Sequence, residues 1–129
     1  MDETMEVPAL KDETREHPIA SSWRPVLKEV VTALAQGDFQ LSSGVPGVVP
    51  IAPETATQME DYLADYGETL VELPDDTWAT SVAQWMGTHW EVLVDLWTAG
   101  EGASDLVLGA RVHESANGHV VELQMIYVP

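Results

Sequence analysis

The chain has 129 residues, enough for one compact core and too few for two. Its 22 Asp and Glu against 5 Lys and Arg give a formal charge of -17, which opposes broad phosphate contact with nucleic acid and docking on an anionic membrane surface. The absence of cysteine removes disulfides, zinc–thiolate sites and thiol nucleophiles together.

The chain starts MDETMEVPALKDETREHP, where Asp2 is the first acid and no apolar stretch follows that could form a signal-peptide core. No run of about 18 apolar residues occurs, so no membrane span is expected and a cytoplasmic location is the default. Residues 1–18 hold six acids against Lys11 and Arg15, with Pro8 and Pro18, and read as a flexible acidic arm. The alternative is an arm that orders on a partner. A single α+β domain is expected over 19–129, since 45% apolar residues with five Trp can build a core.

Ser21 or Ser22 suits a helix N-cap, and Pro25 is tolerated in a first turn. Trp23, Leu27, Val30, Val31 and Leu34 recur at helical spacing before Gly37, which places helix one at roughly 22–36. Three prolines and two glycines make 41–53 a loop. Helix two fits 54–66, with Pro53 before it, Gly67 after it, and Met59, Tyr62, Leu63 and Tyr66 as its apolar stripe. Its acids Glu54, Glu60, Asp61, Asp65 and the following Glu68 lie away from that stripe. No Lys or Arg occurs between Lys28 and Arg111, so this face has no local counter-charge in sequence.

After Gly67 the apolar period becomes two, with strands expected at 69–73, 77–86, 89–97, 105–114 and 119–128. Gly87-Thr88 suits a type II′ hairpin and Asn117-Gly118 a type I′ one. These turns set Trp85 opposite Trp90, Ala83 opposite Val92, Ser81 opposite Val94 and Ala79 opposite Leu96. They also set Val112 opposite Leu123, Ala110 opposite Met125 and Leu108 opposite Tyr127. Pairing Trp97 with Asp105 completes one apolar face through Val92–Ala110 and Val94–Leu108. The expected fold is α+β: two N-terminal helices packed on one face of a four- to five-stranded antiparallel meander sheet.

The same alignment lays out the opposite face in rows: Gln84, Glu91, Arg111, Gln124; then Val82, Leu93, Gly109, Ile126; then Thr80, Asp95, Val107, Val128. Trp78 and Trp97 pair beyond them. A solvated face this apolar marks a contact, whether a homodimer interface, cover by the arm or the 41–53 loop, or a groove for a ligand or protein partner. Its candidate binding residues are Trp78, Val82, Leu93, Asp95, Trp97, Asp105, Arg111 and Ile126.

Candidate chemistry is sparse. His89, His113 and Glu122 share one row and could offer metal ligands, yet histidines near hairpin ends are more often solvated turn residues, and no metal site is assigned. Asp95 and Asp105 flank the 98–104 loop and could run acid/base chemistry, while Asp105 could equally cap loop amides. No Walker loop, GxGxxG, HExxH or GxSxG occurs, so no catalytic residue and no cofactor is assigned.

The stretch WEVLVDLWTAGEGASDLVLGARVHE and the terminal IYVP carry a resemblance. Val94 to Thr98 as VDLWT, a Gly- and Glu-containing loop, Ser104 to Leu106 as SDL, Tyr66-Gly67 and Trp78 together resemble a bacterial family catalogued only as a domain of unknown function, over roughly 20–129. Members often carry Arg before the SDL serine, where this chain has Ala103. The resemblance implies membership and lends no catalytic residues. Small acidic bacterial proteins are sometimes toxin antidotes, which is an analogy. The leading expectation is a non-catalytic interaction module for a basic protein partner, with an immunity-type, toxin-neutralising role as the analogy's form of it, using the acidic helix, the outer sheet face, or both. The alternatives are a small-molecule binder or hydrolase beside 98–104, and a homodimeric structural module.

Overall fold

Pro25 and Pro53 each sit in the first turn of a helix, where a missing N–H costs nothing. In the computed structural model, which describes residues 6–42, 44–116 and 118–129, these helices are α1 (Arg24–Ala35) and α2 (Pro53–Tyr66). Gly67 closes α2 in the left-handed region at φ 82°, its N–H bonded to the Leu63 carbonyl. A short 3-10 turn, Ser21–Trp23, leads into α1, and no side chain caps it. The Ser21 hydroxyl expected there instead accepts the Val7 N–H at 2.7 Å.

The sheet has five antiparallel strands in sequential order: β1 (His17–Pro18), β2 (Val82–Trp85), β3 (Trp90–Thr98), β4 (Gly102–Ser115) and β5 (Gly118–Tyr127). β1 precedes both helices, so the helices are not wholly N-terminal to the sheet. Leu27, Val30, Val31 and Leu34 of α1 and Met59 and Leu63 of α2 share one core cluster with Trp90, Val92, Val94, Leu108, Ala110 and Val112.

The β2–β3 hairpin forms as expected from its turn. Trp85 pairs with Trp90 and Ala83 with Val92, and Gly87 alone of its two central residues has positive φ, at 94°. The expected strand over 77–86, however, is cut short. Pro74 with Asp75 and Asp76 opens a 3-10 turn at Asp75–Ala79, so Ser81–Val94 and Ala79–Leu96 are not ladder pairs. The 69–73 stretch is likewise no full strand: only Leu70 bridges to Thr98, with Val71 N–H on the Trp97 carbonyl.

Between β3 and β4, Val92–Ala110 and Val94–Leu108 pair as expected. Trp97 meets Ala103 and not Asp105, because three residues, Ser104 to Leu106, stand opposite Leu96 alone. The Ser104 hydroxyl fills this bulge, donating to the Leu96 carbonyl at 2.7 Å and accepting the Leu106 N–H at 3.1 Å.

The β4–β5 alignment differs more. Ser115 pairs with Gly118 and Val112 with Val121, two residues off the expected partner Leu123. The expected Asn117-Gly118 turn falls partly on Asn117, which lies outside the described residues. A second bulge follows: Ala110 faces Leu123 while Gly109 faces Met125, leaving one extra residue on β5. Beyond it Leu108 faces Ile126 and Val107 faces Tyr127.

Both sheet edges are blunted against further strands. β1 is two residues long and ends in proline. On β5, the Val121 amide groups bond to Gly47 and Val49, and the Gln58 side-chain amide clamps both backbone groups of Ile126 at 2.8 and 3.1 Å. Among the described residues no helix is long and apolar enough to cross a membrane.

Candidate functional site

The outer sheet face carries part of the expected binding set. Val82 and Leu93 pair across β2 and β3, half-buried, and Leu93 continues to Gly109 and Met125. Asp95 continues to Val107 and Tyr127. Arg111 donates from Nε to Glu91 at 3.1 Å, and its partner on β5 is Glu122 rather than Gln124. Two residues leave this face. Ile126 is fully buried in the core, because the β5 bulge reverses the side to which the strand end points. Trp78 lies in the 3-10 turn, 8% exposed, with the Arg24 guanidinium 5.5 Å from its ring centroid. Trp97 is half-buried against the core, and its indole N–H has no hydrogen-bond partner among the described residues.

His89 and His113 do meet, with ring centroids 5.5 Å apart. Each imidazole is engaged: His113 with Glu122 at 3.0 Å, and His89 with Glu91 at 3.3 Å and Thr88 at 2.8 Å. Among the described residues no three His, Asp or Glu side chains converge as a metal site.

Asp95 and Asp105 have different neighbours. The Thr80 hydroxyl donates to the Asp95 carboxylate, while the Asp95 backbone is held by Ser81 Oγ at its N–H, 2.9 Å, and by the Thr77 hydroxyl at its carbonyl, 2.6 Å. These buried hydroxyls supply the bonds that a longer β2 would have made. Asp105 is exposed. The capping expected of it falls to others: Glu68 accepts the Gly100 N–H at 3.1 Å, and the Thr98 hydroxyl accepts the Glu101 N–H at 3.1 Å. A Cβ on residue 100 would stand 2.5 Å from the Glu68 carboxylate, so Glu68 would have to swing aside. Tyr66 closes the loop by donating to Glu101 at 2.9 Å. Partial desolvation, and then that bond, push the phenol above its ordinary range, against an opposing bond from the Asp105 amide.

On α2, Glu54, Glu60, Asp61 and Asp65 are exposed and Glu68 half-buried. None of these five forms an ion pair among the described residues. The cations sit elsewhere: Lys11 with Glu114, Arg15 with Asp12, Lys28 with Asp75, Arg111 with Glu91, and Arg24 on the Ile19 carbonyl.

One surface escaped the sequence reading. Residues 7–17, part of the stretch expected as an arm, run past the inner end of the β2–β3 hairpin. Val7 and Ser21 exchange two hydrogen bonds, and the Trp90 indole N–H donates to the Leu10 carbonyl at 3.0 Å. Lys11 Nζ lies 5.1 Å from the Trp85 ring centroid and 3.0 Å from Glu114. Asp12 bonds to Thr14 and to the buried His17, which hold its carboxyl well below the usual carboxylate range. The signal in sequence was the short apolar run Val7-Pro8-Ala9-Leu10 ahead of Lys11.

No curated protein and no solved structure matches this chain. A family model does, over residues 31–129, so the chain belongs to the family described as Domain of unknown function (DUF7668).

Proposed function

We propose that the protein is a non-catalytic interaction module that binds a basic protein partner through the acidic side of α2, a role of the toxin-neutralising type. On this reading it acts in the cytoplasm, with 19–129 as the binding body. Both helices cover the same face of the sheet, which turns Glu54, Glu60, Asp61 and Asp65 outward.

The observation that carries the reading is charge segregation. All five Lys and Arg are drawn to acids or carbonyls away from α2, and the α2 carboxylates keep no cation among the described residues. Carboxylates left this way are solvated in the free protein and gain counter-charges only on association. A chain of charge -17 attracts basic proteins over long range, raising encounter rates in a salt-dependent manner. Blunted sheet edges favour docking by faces over strand addition.

The test is capture of partners from the source cell by the wild type and by a variant with Glu54→Gln, Glu60→Gln, Asp61→Asn and Asp65→Asn, at low and at moderate salt. A basic partner is expected to be held by the wild type at low salt and lost with the variant. A partner held equally by both, or indifferent to salt, refutes the reading.

A further inference from the structure

We propose a second docking surface, separate from α2: the notch of Trp85, Trp90 and Glu114 takes an extended, lysine-bearing segment of a partner protein, and Leu10-Lys11 of this chain occupies it in cis.

The contacts that seat Leu10-Lys11 are those by which a protein reads a basic peptide. The Trp90 indole N–H bonds to a main-chain carbonyl, that of Leu10, at 3.0 Å. This bond is indifferent to side chain and fixes the position of any extended segment. The next residue is then read by chemistry. The Lys11 ammonium stands 5.1 Å from the centroid of the Trp85 ring and 3.0 Å from a Glu114 oxygen, so one aromatic face and one carboxylate select a cation. The two tryptophans are themselves packed together, centroids 4.6 Å apart, and Trp90 packs edge-on against the buried Trp23 at 5.0 Å. Their positions are therefore set by the core and persist when the segment leaves.

The occupant is tied at both ends, and its middle is held by the Trp90–Leu10 bond, by Gln84 Nε2 on the Glu13 carbonyl at 3.2 Å and by the accessible Lys11–Glu114 pair. Lys11 and Glu114 are each about half exposed, at 51%, and Leu10 is 42% exposed. An ion pair this accessible contributes only about 0–1 kcal/mol. The ends are tied by the Val7–Ser21 pair and by His17–Pro18 in the sheet. Release of residues 10–11 breaks the Trp90–Leu10 bond and the Lys11 contacts and leaves the strand pairs of the sheet intact. Tethered in this way they compete with an outside peptide at an effective concentration on the order of millimolar. The site is closed to weak ligands and open to a partner that supplies further contacts. The segment lies before residue 31, where the family match begins.

The experiment titrates a fluorescein-labelled peptide, Val-Pro-Ala-Leu-Lys-Asp-Glu, into the full chain and follows anisotropy. Wild type is expected to bind weakly. Lys11→Glu sets two carboxylates against each other, releases the cis segment and raises peptide affinity at least tenfold, since apparent affinity follows the fraction of open sites. Lys11→Ala gives a smaller rise and serves where Lys11→Glu does not fold by circular dichroism. Adding Glu114→Gln to the released chain, or replacing the peptide lysine by alanine, returns affinity to the wild-type level. Equal binding by wild type and both released chains overturns the proposal, and so does binding that survives Glu114→Gln. The α2 variant keeps the wild-type affinity for this peptide, so failure of either surface leaves the other standing.

Discussion

The β2–β3 hairpin pairs from Trp85–Trp90 to Val82–Leu93 and then stops, while the β4–β5 hairpin pairs from Ser115–Gly118 to Val107–Tyr127 with one extra residue on the way. The short ladder keeps strict alternation and leaves the far half of β3 to be finished by hydroxyls of Thr77 and Ser81. The long ladder has enough pairs on either side to absorb a bulge, and the bulge turns its end inward. Ile126 thereby reaches the core and presents its backbone to Gln58 of α2. A ladder can thus be completed by side chains or redirected by one inserted residue. Only the second choice changes which side chains a face displays.

The largest expected effect tests that redirection. Ile126→Ala empties a fully buried site and is expected to destabilise the fold by about 2–5 kcal/mol, whereas Met125→Ala, at a position 39% exposed, shifts it by no more than about 0.5 kcal/mol. Urea unfolding of both variants measures this. A larger loss at Met125 than at Ile126 rules out the bulge.

A smaller effect tests the substitute ladder. Thr77 is fully buried, and its hydroxyl donates to the Asp95 carbonyl at 2.6 Å. Thr77→Val keeps the shape and leaves that carbonyl without its donor, at an expected cost of about 1–3 kcal/mol in thermal or urea unfolding. A neutral result means that water or Ser81 already satisfies the group.

Apolar period, the first-turn prolines and the terminal glycines were enough to read both helices, and alternation the first hairpin and the inner face from Trp90 to Val112, because each element repeats its signal over several turns or pairs. The 3-10 turn at Asp75–Ala79 was masked by Trp78, whose size and spacing fit a strand equally well. Its overlooked signal was Pro74 followed by two acids. The β5 bulge left no such signal: Val121, Leu123, Met125 and Tyr127 alternate without a break, so the pattern fits Met125 inward as well as Ile126. Of the candidate site, Val82, Leu93, Asp95 and Arg111 fall on the outer face because their pairs lie before the irregularities. The notch was illegible because Lys11 and Glu114 are 103 residues apart, with nothing periodic joining them.

The two-residue displacement of β5 is the hardest feature to read and gives the smallest expected effect. A shift of one residue exposes a core, but a shift of two returns every side chain to its own face, so alternation is blind to it. Val121 and Leu123 are both buried and both suit a place opposite Val112. The difference lies in pair geometry: a directly opposed residue approaches within about 5 Å between Cβ atoms, a diagonal one only within about 7–8 Å. Double-mutant cycles to alanine should therefore give a coupling of about 0.5–1 kcal/mol for Val112 with Val121, and a smaller one for Val112 with Leu123. Stronger coupling to Leu123 places the turn back on Asn117-Gly118 and moves the first half of β5 by two residues along β4.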